Sequence, residues 1–242
     1  MPSVSDATDV RTDLLLFPTE VERKSFQRGG RLPREVVLTE ICGFGPIAAA
    51  ARTAQLLNRI PVRRIILVGI AGSYDGRRPP VGTAVTFDEV ASEGVGAGQG
   101  DLFRGAAALG FAQWPGSPDT CDGAVYERLR LEPLVPTDHT TASRLLVTVC
   151  AASGSMAEAS RRRTSFPNAA AEDMEGFGVA LAGALHQVPV SVVRGISNIA
   201  GDRDRNHWEI ESALENARRL VVAALLGTQP GGQKSPTEDA GS

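Results

Sequence analysis

The sequence predicts a layered α/β domain, and three observations lead to that prediction. Short apolar runs rich in β-branched residues alternate along the chain with stretches of helical periodicity. The clearest pair is a helical stretch that Pro189 must end and an apolar run at residues 190–196, which suits a buried strand. The 242 residues contain no internal repeat, so we expect one domain at residues 13–227, with flexible tails at 1–12 and 228–242.

The predicted strands are mostly short apolar runs, as expected for strands buried in a sheet. They lie at residues 14–17, 36–41, 65–70, 81–90, 145–149, 171–174 and 190–196. Residues 91–138 are rich in Gly and Pro, and the sequence assigns no further element there.

Helical periodicity or alanine-rich composition marks the predicted helices. They lie at residues 20–27, where a turn is the alternative, and at 46–59, 156–163 and 175–188. A last helix is expected behind Asn206 and Glu209, which have the spacing of a capping box. Two apolar helix faces should pack on the sheet: Phe177, Leu181, Ala184, Leu185 and Val188, and then Ile210, Leu214, Ala217, Val221 and Leu225.

Composition limits the class of function. Hydrophobic residues make up 42% of the chain, charged residues 22%, and the net charge is −3, so nothing favours a nucleic-acid or membrane partner. No apolar run approaches the roughly 18 residues that a membrane span needs, and the N-terminal residues do not resemble a signal peptide. The three cysteines, Cys42, Cys121 and Cys150, are widely spaced, which argues against disulfides and zinc and favours a reducing cytoplasm.

Some motifs point to chemistries that their context does not support. Residues 43–48 match the G-x-G-x-x-A dinucleotide fingerprint, but the acidic residue expected about 20 positions later is missing. A loop that packs against a ligand, or a tight turn, is therefore preferred. Residues 195–199 resemble half of a nucleophile elbow, but isoleucine replaces the second glycine, which argues against a serine hydrolase. Metal-ligand spacing is absent from the histidines, so no metal or cofactor is expected; these are His139, His186 and His207.

One longer pattern resembles the nucleoside phosphorylase and nucleosidase superfamily. Residues 172–176, Glu-Asp-Met-Glu-Gly, are followed after a helix by residues 194–198, Arg-Gly-Ile-Ser-Asn, and the family has this pattern at these two places. Shorter matches at residues 19–22, 43–45 and 69–73 extend the resemblance to nearly the whole chain. The Gly-Ile-Ala-Gly run, the Ser-Asn pair and the Gly-Asp-Arg-Asp-Arg run before a Trp are most similar to the futalosine hydrolase subfamily.

The resemblance implies a three-layer α/β/α sandwich around a central mixed sheet, of the nucleoside phosphorylase/hydrolase type. It implies hydrolysis of the N-glycosidic bond of futalosine or a related 6-oxopurine nucleoside, with release of hypoxanthine in menaquinone biosynthesis. It also implies that the only ligand is this small-molecule nucleoside and that the chain forms a homo-oligomer, a dimer or higher. Two alternatives stay open: a purine nucleoside phosphorylase, and a nucleoside-binding protein without turnover.

The same resemblance assigns roles to the reacting groups. Glu175 would accept hydrogen bonds from two ribose hydroxyls, and Met174 would pack its thioether on the ribose. Glu22 would activate the attacking water, with Glu20 as the alternative in register. Arg194, an arginine inside an apolar strand, needs a buried partner, and we expect it beside that water and paired with Glu22.

Asn198 departs from the Asp that many nucleosidases of the family carry. Its amide nitrogen can donate twice, to O6 and N7 of a 6-oxopurine, whereas a carboxylate cannot. Ile70 stands where phosphorylases of the family carry a phosphate-binding Ser, which favours water as the nucleophile. Further substrate contacts are expected from Asp173, Ala71 and Gly72.

Arg203 and Arg205 are further candidates, as partners for a carboxylate of the substrate. An Arg-Asp-Arg loop on the surface is the commoner explanation of such a sequence.

Overall fold

The structure, a computed structural model, describes residues 11–30, 32, 37–116, 123–134 and 144–227. Its strands are β1 (Thr12–Phe17), β2 (Val37–Ile41), β3 (Val62–Ser73), β4 (Ala84–Thr86), β5 (Glu89–Ser92), β6 (Gly96–Ala97), β7 (Arg104–Gly105), β8 (Arg128–Arg130), β9 (Leu145–Thr148), β10 (Ala169–Asp173) and β11 (Val190–Ile199). Its α-helices are α1 (Glu20–Arg28), α2 (Pro46–Leu57), α3 (Ala106–Leu109), α4 (Met156–Ser165), α5 (Gly176–Leu185) and α6 (Ile210–Leu226). Short 3₁₀ turns lie at Gly100–Leu102 and Arg205–His207.

Nine of the described strands form one mixed sheet. Its order is β2-β1-β3-β10-β9-β5-β8, with β11 also paired to β3 and β4 paired to β11. Strands β1, β2 and β11 run parallel to β3, whereas β10 is antiparallel to it. The predicted central mixed sheet is confirmed.

Helices cover both faces of the sheet because its central strands are apolar on both sides. In β1, Leu14 and Leu16 pack in a cluster with residues of α2 and α5, whereas Leu15 and Phe17 pack with residues of α1 and α6. Side chains of a strand alternate between faces, so four consecutive apolar residues need cover on both. The predicted three-layer α/β/α arrangement is thereby confirmed.

Strand β3 positions the later site. It is 12 residues long, and its first part pairs with β1 and β11. Near its end, Gly72 pairs with Glu172 of β10 and with Asn198 of β11. The carboxyl ends of β10 and β11 therefore meet at one place. The strand β3 is also longer than the strand predicted at residues 65–70. The residues that extend it beyond residue 70 are small, and their extended form depends on the partner strands β10 and β11.

The predicted strand at residues 81–90 is wrong as a single element. It divides into β4 and β5, with Phe87 buried between them. Strand β4 pairs with β11 and β5 pairs with β9, so the chain changes its partner at Phe87. Apolar content alone does not reveal such a change of partner.

Helix α5 ends earlier than Pro189 predicted. It ends at Leu185, which is 44% exposed and does not belong to the packed face. Gln187 adopts the left-handed conformation, with φ of 56°. Glycine usually takes that place after a helix, so the sequence carried no signal for this end.

Two further expectations about element ends are wrong. Asn206 does not cap the last helix, because it lies in a 3₁₀ turn whose N-cap is Asp204, and α6 begins at Ile210. Thr12, expected in a tail, begins β1, where its N–H donates to the Pro61 carbonyl at 3.1 Å.

Several expectations concern residues that the structure does not describe, namely most of both tails, Cys121 and His139. Cys42 and Cys150 are free thiols, the first buried and the second exposed. Within the described ranges, no helix has both the length and the apolar character to cross a membrane.

Candidate active site

A cavity of about 370 Å³ lies where the ends of β10 and β11 meet the end of β3. The predicted site residues that line it are Glu22, Ile70, Ala71, Gly72, Asp173, Met174, Glu175 and Asn198. Arg194 lies behind the cavity wall, and Glu20 does not line the cavity. A larger cavity of about 1010 Å³, beside Trp114 and Pro189, contains none of the predicted site residues.

Arg194 is the centre of a buried ion cluster. Its side chain is 0% exposed, and its Nε donates to Asp173 Oδ2 at 3.1 Å. Its Nη2 donates to the same oxygen and to Glu175 Oε2, the latter at 3.2 Å. The predicted ion pair with Glu22 is therefore wrong, because Asp173 and Glu175 occupy this edge of the guanidinium.

Asp173 borders the cavity, but its carboxylate is committed to protein donors. Oδ1 accepts from Thr148 Oγ1 at 2.6 Å, and Oδ2 accepts from Gly176 N at 2.8 Å, at the start of α5. Its side chain is 0% exposed. This geometry positions Arg194 and α5, and it leaves the carboxylate without the free face that the expected substrate contact needs.

Glu175 presents its carboxylate from the N-cap of α5. Oε1 accepts from Gly45 N at 3.0 Å and Oε2 accepts from Arg194 Nη2 at 3.2 Å, so each oxygen keeps a lone pair. Burial raises the pKa of Glu175 to about 7; Arg194 opposes that rise and Asp173 adds to it. The glycine-containing loop that the sequence singled out thus holds Glu175 through Gly45.

Glu22 caps α1 and lines the cavity at the same time. Its Oε2 accepts from Thr19 N at 3.0 Å and its N–H donates to Thr19 Oγ1 at 3.3 Å, which together form a capping box, and Oε2 also accepts from Thr19 Oγ1 at 2.6 Å. Its Oε1 accepts from Ile70 N at 3.1 Å, and the residue is 7% exposed. Glu20 instead pairs with Arg23 at the surface, at 2.7 Å.

Glu22 and Arg194 both pack against Gly69, at the position where other residues carry a Cβ. A Cβ at Gly69 would lie 2.1 Å from Arg194 Nη1 and 2.8 Å from Glu22 Oε1. Nη1 has no hydrogen-bond partner among the described residues, although it is buried. A buried donor in need of a partner and a carboxylate oxygen with a free lone pair therefore adjoin one point.

Asn198 is buried at the inner end of the cavity, with 8% exposure. Its Oδ1 accepts from Ser197 Oγ and its Nδ2 donates to the Ile199 carbonyl, each at 2.8 Å. That carbonyl fixes the amide orientation, because it can bond only the nitrogen end. One N–H therefore remains for a ligand, whereas the sequence predicted two.

Met174 and the end of β3 complete the wall. Met174 borders the cavity and also packs on a cluster that includes Tyr74 and Val147, so it contributes to the core as well. Ile70 gives the cavity an apolar side chain while its N–H holds Glu22. Gly72 pairs with Asn198 and fixes the distance between β3 and β11 at this point.

Sequence reasoning missed a buried polar network along another wall. Glu172 Oε1 accepts from Ser153 N at 2.7 Å, and Oε2 accepts from Ser153 Oγ at 2.6 Å and from Arg162 Nη1 at 3.4 Å. Glu172 and Ser153 line the cavity. The acidic pair at residues 172–173 was the available signal, but it did not identify the partners of either carboxylate.

The loop after β11 lies on the exposed side of the cavity. Arg203, Arg205 and Trp208 line the cavity there, and both arginines are exposed. The sequence favoured an ordinary surface loop for these arginines. The loop is exposed, and it also forms part of the cavity wall.

Two futalosine hydrolases and one nucleosidase are similar in sequence to most of this chain. Futalosine hydrolase of Streptomyces coelicolor is 36% identical over 177 residues, covering 71% of this chain and 71% of that protein. Futalosine hydrolase of Thermus thermophilus is 30% identical over 199 residues, covering 80% and 83%. The 5′-methylthioadenosine/S-adenosylhomocysteine nucleosidase of Colwellia psychrerythraea is 29% identical over 216 residues, covering 86% and 85%.

Solved structures share the fold. Native futalosine hydrolase of Helicobacter pylori superposes with a TM-score of 0.66 at 14% identity, covering 90% of this chain and 98% of that chain. The Colwellia psychrerythraea nucleosidase in complex with adenine superposes with a TM-score of 0.65 at 24% identity, covering 89% and 95%.

A family model described as Phosphorylase superfamily matches residues 5–226. That span includes every residue that lines the cavity. The chain belongs to the phosphorylase superfamily.

Proposed function

We propose that this chain is a nucleoside hydrolase that cleaves the N-glycosidic bond of futalosine, or of a related 6-oxopurine nucleoside, with water. Hypoxanthine would be released, in menaquinone biosynthesis. The observation that carries the proposal is one cavity shared by Glu22, Glu175 and Asn198. The identity of 36% and 30% to two futalosine hydrolases supports the choice of substrate.

Glu175 is the proposed ribose-binding group. Each carboxylate oxygen has a lone pair left after its bonds to Gly45 and Arg194, so the pair can accept from two neighbouring hydroxyls. N-glycosidic cleavage passes through an oxocarbenium-like transition state. The negative charge of ionised Glu175 would stabilise that cation, and Met174 would pack against the sugar.

Glu22 is the proposed general base. Its Oε2 is saturated by Thr19, so Oε1 is the oxygen that can take a proton from water. Arg194 Nη1 lies beside Gly69, as Oε1 does, and has no hydrogen-bond partner among the described residues, so it would donate to the oxygen of a water that gives its proton to Oε1. Asp173 acts as a positioning residue, because it fixes the guanidinium from the opposite edge.

Asn198 is the proposed contact to the departing base. Its free N–H can donate to N7 or O6 and so stabilise the negative charge that develops on the purine as the bond breaks. A water nucleophile is favoured over phosphate by Ile70, whose side chain offers an anion no hydrogen bond.

We also propose a homo-oligomer in a reducing, cytoplasmic setting. Three exposed apolar residues lie at or near the cavity: Val21 at 72%, Phe44 at 67% and Ile47 at 82% exposure. Covering such residues with a second copy would remove apolar surface from water. The free thiols of Cys42 and Cys150 suit a reducing compartment.

Base release with and without phosphate tests the function. The purified chain should release hypoxanthine from futalosine in phosphate-free buffer, and added phosphate should change neither the rate nor the sugar product. Chromatography and phosphorus NMR measure base and sugar phosphate. Release only with phosphate would indicate a phosphorylase, and preferential release of adenine from 5′-methylthioadenosine would indicate the other nucleosidase activity. Binding without any release over hours would indicate a non-catalytic protein.

Glu22→Gln tests the general base. The amide oxygen can still accept from Thr19 N and so keep the capping box, while the amide nitrogen at the place of Oε1 neither takes a proton nor accepts from Ile70 N. We expect kcat to fall by about 10²–10⁴-fold, with the circular dichroism spectrum unchanged. Glu20→Gln is the matched control and should retain full activity. The opposite ranking of the two variants would move the base to Glu20.

Asn198→Asp tests recognition of the base. A carboxylate would face the Ile199 carbonyl and would lose the amide donor that a 6-oxopurine accepts. The ratio of kcat/KM for inosine-type over adenosine-type nucleosides should fall, by the equivalent of about 1–3 kcal/mol. Asn58→Asp, an exposed change beyond α2, is the control. An unchanged ratio in Asn198→Asp would refute this role.

The pH profile tests Glu175. Its pKa of about 7 means that the carboxylate loses its charge as pH falls through that value. If the charged form is required, kcat/KM should rise with pH up to about 7 and level off above it, with a slope of about tenfold per pH unit on the acid side. The residual activity of Glu22→Gln should keep the same acid limb. A profile that is flat on both sides of pH 7, or an acid limb that disappears in Glu22→Gln, would assign the titration elsewhere.

A further inference from the structure

We propose that Arg203 and Arg205 form a binding subsite for a carboxylate carried by the end of the substrate remote from the purine. The inference rests on the proposed function and adds to it the chemistry of a substrate end that neither the ribose group nor the base contact reaches. Both arginines line the same cavity as Glu175 and Asn198.

Burial separates an inner part of the cavity from a rim. Asn198 and Glu175 are 8% and 4% exposed, whereas Arg203 and Arg205 are exposed. We place the base of a nucleoside at Asn198 and its ribose at Glu175, and its remaining end would then extend toward the rim, where the two guanidinium groups lie.

The loop that carries these arginines directs its acids elsewhere. Asp202 pairs with His207 Nδ1 at 2.7 Å, and this hydrogen bond lowers the pKa of Asp202. Asp204 accepts from Asn206 N at 3.0 Å. Neither Arg203 nor Arg205 has an ion pair with a carboxylate in the described part of the chain. Their positive charges are therefore available to a ligand.

Trp208 supports one of the two guanidinium groups. The Arg203 Cζ lies 5.2 Å from the centroid of the indole ring, and the indole N–H donates to the Asp202 carbonyl at 3.2 Å. A guanidinium over an aromatic face keeps its in-plane N–H groups free for a bidentate acceptor. This arrangement reduces the freedom that Arg203 would lose on binding a planar carboxylate.

The charge distribution favours a singly charged anion. The inner walls carry four carboxylates, whereas the positively charged side chains that line the cavity, Arg203 and Arg205, lie at the rim. The carboxylates belong to Glu22, Glu172, Asp173 and Glu175. A doubly charged phosphate would be repelled by the inner carboxylates more strongly than a carboxylate would. The same polarity orients the substrate, because an anionic end is attracted to the rim and the cationic sugar of the transition state is stabilised inside.

Binding of matched nucleosides tests the subsite without depending on turnover. The probes are inosine 5′-hemisuccinate, its neutral methyl ester and inosine 5′-monophosphate. Dissociation constants are measured by calorimetry for three proteins. The parent is Glu22→Gln itself, and the other two carry in addition either Arg203→Gln/Arg205→Gln or Arg59→Gln/Arg219→Gln. The last variant removes the same charge from two exposed arginines that do not line the cavity.

The parent should bind the hemisuccinate more tightly than the ester, and Arg203→Gln/Arg205→Gln should reduce this preference by about tenfold or more. Arg59→Gln/Arg219→Gln should keep it. Equal affinity for acid and ester in the parent, or a preference that survives Arg203→Gln/Arg205→Gln, would overturn the subsite. A larger arginine-dependent preference for the monophosphate would overturn the choice of a carboxylate.

The proposed function can fail separately. It fails if wild-type protein releases no hypoxanthine from futalosine, whatever the arginine variants do to the affinity ratio. The subsite fails on the affinity ratio, even if hypoxanthine is released. A comparison of two ligands in one protein sample also makes the result independent of any loss of folded material in a variant.

Discussion

The buried guanidinium of Arg194 is the interaction on which the rest of the site depends. It joins β11 to the end of β10 and to the start of α5 through Asp173 and Glu175. Breaking a buried pair of this kind costs about 3–5 kcal/mol, because the remaining charges stay buried without compensation. The cluster can exist because Gly69 of β3, opposite Arg194 in register, has no side chain.

Three carboxylates of the candidate site also hold the ends of helices. Glu22 closes the capping box of α1, Asp173 binds the first N–H of α5, and Glu175 is the N-cap of that helix. Glu22 and Asp173 are oriented by backbone donors at these helix ends, and Glu175 is oriented by Gly45 N of another loop, which reduces the reorganisation that catalysis would require. In the part of the chain that the structure describes, Arg194 Nη1 is a buried donor without an acceptor, and Glu22 Oε1 keeps a free lone pair.

Sequence patterns predicted the fold more completely than the contacts of the site. Consecutive apolar residues such as Leu14 to Phe17 require cover on both faces, which indicates a strand buried on both sides of its sheet. The pattern at residues 172–176 and 194–198 singled out Asp173, Met174, Glu175 and Asn198, which line one cavity, and Arg194, which binds two of them. The prediction drawn from this pattern paired Arg194 with Glu22, whereas Arg194 binds Asp173 and Glu175. It also left both amide N–H groups of Asn198 for the substrate, whereas one of them binds the Ile199 carbonyl.

The sequence by itself determined the alternation of strands and helices, the position of most of them, and which polar residues stand at the ends of strands, because these follow from periodicity and from local breaks in it. The tertiary structure decided which of those residues touch. Gly72 of β3 pairs with both Glu172 and Asn198, and the ladder that places them there joins segments far apart in the chain. Hydrogen-bond partners at such a junction depend on register and on distances of a few tenths of an ångström, and no local pattern encodes either.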